Sequence, residues 1–303
     1  MKAFIAASLL VSLCACSSLS DRPYPLEVVT SENSSERVRF LVMHYTAIDF
    51  DRSLRALTLP SNNPVSSHYL IPERDDPSYP HDELKVFQLV DEHRRAWHAG
   101  PGKWEDREQV NDQSIGIEIV NRAHCHPPME QTKAGICFFP EFDREQIELV
   151  IQLSKDILAR NPDITPTRVV GHGDILPQFK NDPGPRFPWQ QLAAAGVGAW
   201  YDDATVIRYF DQLSAATETD PADSEREFVG LLAAYGYGID PKDYTETDLS
   251  LYVSAFQYHF RAWKVDGEID AHSHAILLAL IEKYFPENLP ENYRTGTMPE
   301  TDG

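Results

Sequence analysis

The sequence predicts a mixed α/β domain with flanking helices, followed by a small helical unit. Three observations carry this. Short apolar, β-branched runs at residues 38–45 (VRFLVMHY), 67–71 (SHYLI), 86–90 and 115–121 (IGIEIVN) read as buried strands. A strongly periodic helix at residues 143–161 and a strand at 167–170 follow them, and strands interleaved with helices define the class. Beyond an acidic, apolar-poor stretch at 215–223 (AATETDPAD) only helical periodicity remains.

The chain has 303 residues, enough for about two domains. A hydrophobic share of 42% supports a real core, and a formal net charge of -20 argues against nucleic acid, which demands a basic face. Residues 1–16 (MKAFIAASLLVSLCAC) have one Lys ahead of an apolar run too short to span a bilayer, so they read as a secretory leader. The segment Leu13-Cys14-Ala15-Cys16 resembles a bacterial lipobox. That resemblance implies removal of residues 1–15, acylation of Cys16 and a membrane anchor. Ser17 and Ser18 in place of Asp point to the outer membrane, facing the periplasm. Residues 16–36 then read as a tether. Cys125 and Cys137 remain in an oxidising compartment, where a disulfide is the first expectation; free thiols, or a metal site with His124 and His126, are the alternatives.

In chain order, His44 ends the first strand. A short helix is expected at 51–59, stopped by Pro60. In IGIEIVN, Ile115, Ile117 and Ile119 alternate with Gly116, Glu118 and Val120, which puts one carboxylate on a mostly apolar strand. Such a group needs a partner or a wet cleft. The helix at 143–161 should start in a capping box of Asp143 and Gln146, and bury Ile147, Val150, Ile151, Ser154 and Leu158. After residues 169–170 comes a loop rich in Pro and Gly that holds His172, Asp174, Lys180 and Asp182. Loops at strand ends carry reactive groups on a rigid base. A helix-prone segment runs to Leu213, and a linker is placed at 214–223. A second capping box, Ser224 with Glu227, opens a unit over 224–285. Its helices are expected from Ser224 to Gly236 and at about 248–261 and 271–284, with a turn at 265–267. His272 and His274 read as a solvated first turn rather than a chelate. The tail from Pro286 reads as disordered.

Taken together, His44 at a strand end, Glu118 in IGIEIVN and His172-x9-Asp182 resemble the zinc N-acetylmuramoyl-L-alanine amidases. This family includes phage-lysozyme-type amidases and peptidoglycan recognition proteins. FLVMHYTA, VSSHYLI, AWHAG, NDQSIGIEIVN and VVGHGDILPQFKNDPGPRFPW carry the match over about residues 40–190, within a domain placed at 37–213. AFQYHFR followed by KVDGEID resembles, more weakly, the peptidoglycan-binding repeat of cell-wall hydrolases. The resemblance implies Zn2+ held by His44, His172 and Asp182, a ligand set that leaves a fourth position for water. It implies Glu118 as general base and Lys180 as oxyanion stabiliser; Asp174, two residues from His172, is the rival ligand by proximity, and with the family's ligand at Asp182 its role is to orient the loop or His172. His98, Tyr45 and Thr46 would be substrate contacts. The phage-type Tyr beside the second-strand His is replaced here by Ser67 before His68, so proton transfer must fall to Glu118. The implied reaction is hydrolysis of the amide between N-acetylmuramic acid and L-alanine in peptidoglycan or muropeptides, by a monomer. A non-catalytic peptidoglycan receptor and a zinc peptidase cutting within the stem peptide are the alternatives.

Overall fold

The computed structural model describes residues 23–127, 136–215 and 220–294. Residues 23–35 carry no helix or strand, and the described residues from Glu36 onward form one compact unit. The leader, the acylation site Cys16 and part of the expected linker lie outside the described residues.

A five-stranded mixed sheet organises the compact unit. It contains β1 (Phe40–Tyr45), β2 (Tyr69–Ile71), β3 (Phe87–Gln88), β6 (Ser114–Ile119) and β9 (Val169–Gly171), in the order β3-β2-β6-β1-β9. All neighbours are parallel except β2–β3. Two small hairpins, β4 (Lys103–Trp104) with β5 (Arg107–Glu108) and β7 (His124–His126) with β8 (Ile136–Phe138), stand beside it. The inner strands are buried on both faces, which is why β1 reads as a continuous apolar run.

The alternation of β6 sorts the two faces. Ile115, Ile117 and Ile119 join Leu41 and Met43 in a core with Ile147, Val150 and Ile157 of α2 (Arg144–Arg160). The expected capping box of α2 is only half made. Asp143 accepts from Glu145 N at 3.0 Å, but Gln146 turns inward and donates to Val120 O at 2.8 Å. Satisfying a buried strand-end carbonyl outweighs a second cap contact. α1 (Phe50–Thr58) is capped by Asp49.

The opposite face, with Phe40, Val42 and Val170, shares one core with the C-terminal helices. These are α6 (Pro221–Tyr235), α7 (Glu246–Phe260) and α8 (Ala271–Tyr284), with α5 (Asp203–Ala215) packed on α8. Buried Trp104 bridges the two parts: its Nε1 donates to Thr167 O at 3.0 Å and its ring packs against Tyr235 and Tyr237. Two short helices, α3 (His172–Ile175) and α4 (Trp189–Ala194), lie in and after the loop expected to be irregular.

Several sequence expectations are corrected. α6 starts three residues earlier than Ser224, because Asp220 caps Ala222 N and Pro221 suits the first helical position. His274 is not solvated: it is buried, with Nε2 3.1 Å from Glu227. The tail is ordered as far as it is described, since Leu289 is buried and α9 (Glu291–Arg294) follows.

The turn after α7 shows how the C-terminal unit is held. Gln257 Oε1 accepts the N–H groups of Asp266 and Gly267, both at 2.9 Å. Gly267 has φ +70°, and a Cβ there would meet Ser250 Oγ at 2.5 Å. Arg261 is fully buried, with Nη1 2.5 and 2.6 Å from the two oxygens of Asp270, which also caps Ser273 N at 2.8 Å. Burial alone would raise the Asp270 carboxyl, but Arg261 and the Ser273 N–H hold it well below the usual range. Its stabilising contribution is therefore present above the ordinary carboxylate range and lost as pH falls through the depressed value. Asp270→Ala removes a helix cap and half the counter-charge of a buried guanidinium. We expect a loss of about 3 kcal/mol, read from urea denaturation midpoints at neutral pH.

Candidate metal centre and active cleft

Register builds the site. In the parallel pair β1–β6, His44 stands opposite Glu118, so both side chains leave the sheet on the same face at the strands' C-terminal ends. On the other side of β1, Gly171 stands opposite Met43, so the next residue, His172, emerges beside His44. The loop then returns: Gly173 N donates to Asp182 O at 2.7 Å and brings Asp182 back to His172. Groups 138 residues apart thus meet at the mouth of a parallel sheet, where ligands bind in such folds.

Three donor atoms converge. His44 Nδ1 is 2.9 Å from Asp182 Oδ2 and 3.1 Å from His172 Nδ1, and His172 Nδ1 is 3.2 Å from Asp182 Oδ2. All three residues are buried, and they form the one metal-capable group of this kind among the described residues. Donors about 2.0–2.1 Å from one tetrahedral ion stand about 3.3 Å apart, close to what is found here. Protonation agrees. Burial lowers His44 to about 4, against the opposing pull of Asp182, so its ring is neutral at pH 7. Burial pushes Asp182 up, but His172 and His44 outweigh it and hold the carboxyl well below its usual value. Neutral imidazoles and an ionised carboxylate are the states that bind a divalent ion.

The donors open into a cleft of about 430 Å³ that also contains Glu118, His98, Tyr45, Thr46, Lys180 and Asn181. Glu118 Oε2 is shielded and has no hydrogen-bond partner among the described residues. Burial, and then the nearby Asp182 charge, push its carboxyl well above the usual range, with Lys180 pulling the other way. The rim is apolar, with Val65, Trp97 and Phe179 exposed.

The chain was compared with known proteins. Residues 34–185 match the model of the N-acetylmuramoyl-L-alanine amidase family. Over 283 residues the chain is 43% identical to the N-acetylmuramoyl-L-alanine amidase AmiD of Escherichia coli K12, covering 92% of this chain and 96% of that protein. The chain belongs to the N-acetylmuramoyl-L-alanine amidase family. The crystal structure of AmpDh3 from Pseudomonas aeruginosa superposes with TM-score 0.75 at 42% identity, covering 88% of this chain and 98% of that one. E. coli AmiD in complex with anhydro-N-acetylmuramic acid-L-Ala-D-γ-Glu-L-Lys superposes with TM-score 0.71 at 44% identity, covering 84% and 93%. AmpDh3 has also been solved with anhydromuramic pentapeptide, at TM-score 0.76 and 43% identity, covering 88% and 99%. The mixed sheet, the trailing helices and the amidase activity expected from the sequence are those of this family.

Within this amidase, the residues expected to touch substrate do line the cleft, but each has an internal partner. Tyr45 OH donates to Asn181 Oδ1 at 2.5 Å, and Thr46 Oγ1 donates to Ile48 O at 2.8 Å. His98 lies behind His44, with its Nδ1 3.0 Å from His44 Nε2 and its Nε2 3.2 Å from Ser114 Oγ. If His44 gives Nδ1 to a metal, its Nε2–H donates to His98 Nδ1, and His98 Nε2–H then donates to Ser114. Such chains fix the ring and tautomer of a ligand. Burial, with the neighbouring histidines 44, 68 and 172, holds His98 well below its ordinary value, so it stays neutral and able to accept.

Sequence reasoning missed this supporting layer. Asn111 Oδ1 accepts the N–H groups of His98 and Ala99 at 3.0 and 2.8 Å and holds the AWHAG turn. His68 Nδ1 accepts Gly116 N–H at 3.0 Å, which leaves Nε2 to donate to Arg94 O. Asn181 joins Tyr45 to the Cys125–Cys137 disulfide, with its Nδ2 3.7 Å from Cys125 Sγ. The available signal was Gly116, the small residue in the strand that carries Glu118. A Cβ there would lie 2.6 Å from the His98 ring. Gly116→Ala is therefore expected to drive His98 off His44 and to lower kcat about ten- to a hundredfold in a folded protein, checked by steady-state kinetics beside a melting curve.

Proposed function

We propose that this amidase cuts the bond between the lactyl carbonyl of N-acetylmuramic acid and the amine of L-alanine, using zinc held by His44, His172 and Asp182. The observation that carries this reading is the convergence of three buried donors on one point beside the shielded Glu118 carboxyl, whose Oε2 has no hydrogen-bond partner among the described residues. The donor set of two imidazoles and one carboxylate suits Zn2+ and leaves a fourth position open. The ligands reported for the AmiD and AmpDh3 structures support soluble anhydro-muropeptides as substrates alongside peptidoglycan itself.

When bound, the ion supplies Lewis acidity that brings the pKa of a water toward neutrality. Glu118 takes the proton of the attacking water and hands it to the leaving amine. Its raised pKa suits the first half of that task, because a more basic carboxylate is a better proton acceptor, and its conjugate acid is the donor for the second. Lys180, on the cleft wall, offers positive charge to the carbonyl oxygen as negative charge grows there. His98 and Ser114 keep His44 in one tautomer. The apolar rim of Val65, Trp97 and Phe179 gives the muropeptide a surface to lie on.

Further, we infer export and lipid attachment at Cys16, in the periplasm at the outer membrane. The Cys125–Cys137 disulfide supports an oxidising compartment. We also infer that the helices after residue 223 form a peptidoglycan-binding-like module that works as a monomer with the amidase domain. Intact mass of the membrane-extracted protein checks the anchor: a diacylglyceryl group and a further acyl chain on Cys16 are expected.

Glu118→Gln is expected to keep full zinc occupancy while kcat falls about a hundred- to ten-thousandfold. Wild-type turnover by that variant would remove Glu118 from the reaction. Because Lys180 opposes the rise of the Glu118 carboxyl, Lys180→Met is expected to move the acid limb of kcat/KM to higher pH as well as lowering kcat. Stripping metal with a chelator should abolish release of peptide from muropeptides, and zinc should restore it; product mass spectra should show sugar freed of its whole stem peptide. Release that survives complete metal removal rejects the zinc reading, and shortened peptides left on sugar would mean a peptidase.

A further inference from the structure

His44 is braced from behind by His98, but His172 is not. Among the described residues nothing hydrogen-bonds His172 Nε2. Its ring is placed by its backbone, that is, by the single turn of α3 at the end of β9. Asp174 holds that turn: its Oδ2 accepts Gly171 N–H at 2.7 Å. Asp174 is itself buried, 3% exposed, so the rest of its accepting capacity must be met inside the protein.

Those partners come from the C-terminal unit. Tyr237 OH, just after α6, donates to Asp174 Oδ1 at 2.9 Å. His259 Nδ1, on α7, is 2.8 Å from Asp174 Oδ2. The His259 ring cannot swing away. It is stacked on Trp189 at 3.8 Å between centroids with 15° between planes, and on Phe260 at 4.1 Å with 12°. Tyr237 is buried against Trp104 and Tyr235. Two rigid aromatic donors, fixed by one part of the chain, meet a carboxylate that sets the backbone of the other.

We propose that Tyr237 and His259 clamp Asp174, and through it the turn carrying His172, so that the C-terminal helical unit is a working part of the metal centre. This rests on the reading of His172 as a zinc ligand. All three are positioning residues, and none is assigned contact with substrate. A buried carboxylate deprived of two of its donors finds new ones only by moving, and the turn moves with it.

The test uses the full chain. Tyr237→Phe deletes one hydroxyl, His259→Leu deletes the ring donor, and His259→Asn restores an N–H where Nδ1 stood. Tyr252→Phe is the control: Tyr252 bonds Gln178 of the same loop at 3.1 Å without touching Asp174. Zinc release to a chromogenic chelator, kcat and KM on a soluble muropeptide, and melting temperature are measured for each. For the Tyr237→Phe/His259→Leu pair, zinc release should quicken about ten- to a hundredfold and kcat fall, with KM within about twofold of wild type. His259→Asn should recover most of the retention, and Tyr252→Phe should match wild type. The clamp is overturned if folded variants release zinc at the wild-type rate, if Asn is no better than Leu, or if Tyr252→Phe loosens zinc equally. Should His259→Leu not fold, Tyr237→Phe decides alone. A wild-type chain that takes up no zinc sinks the ligand assignment itself; one that takes it up while the variants hold it equally sinks only the clamp.

Discussion

The pairing register of three parallel strands is the constraint on which the rest depends. His44 faces Glu118 across β1–β6, and β9 ends one residue before His172 on the other side of β1. A shift of one residue in either pairing would send a whole set of side chains to the wrong face. The apolar sorting resists this: Leu41, Met43, Ile115, Ile117 and Ile119 all feed the core with α2, so their alternating neighbours must take the opposite face, where Phe40 and Val42 meet the C-terminal helices and His44 and Glu118, at the strand ends, reach the cleft. Hydrophobic burial on one face of the sheet thereby aims the chemistry on the other.

That aim brings several ionisable groups into one poorly solvated place, and their environments push them apart. Asp182 gains two imidazole partners and stays ionised, while Glu118, whose Oε2 has no hydrogen-bond partner among the described residues, is driven toward its neutral form by burial and by Asp182 itself. His44 and His98 are kept neutral by the same burial. Two carboxylates in one cleft thus acquire opposite leanings toward ionisation from their surroundings alone, as the proposed division between holding a metal and moving a proton requires. The arrangement costs stability, because unpaired polar atoms are buried, and the surrounding sheet and disulfide-closed hairpin over-determine it.

The C-terminal helices enter the same account. Their core runs continuously into Phe40, Val42 and Val170 beneath the cleft, and Trp104 is shared by both parts. Removing them would uncover an apolar sheet face as well as the Asp174 carboxylate. Their place in the chain, after an acidic low-complexity stretch, suggested a separate appendage; what they bury is one face of the amidase sheet.

Much of this was written in the sequence. Strand and helix periodicity located β1, β6, α2 and α8 to within two residues at each end, and the side of the sheet taken by Glu118 followed from the period of two in IGIEIV. The spacing of His172 and Asp182 around a Pro-rich loop, together with the resemblance of the surrounding segments, singled out the groups that the fold brings together. These features depend on local geometry, which each residue carries with it. What only the tertiary structure decided are the partnerships: Gln146 turned to Val120, His274 to Glu227, His98 to His44, and Asp174 to Tyr237 and His259. Each joins residues whose separation along the chain leaves no periodic trace. A buried polar atom takes whichever partner the packing of two distant elements happens to put within hydrogen-bond reach, and that is a property of the assembled core.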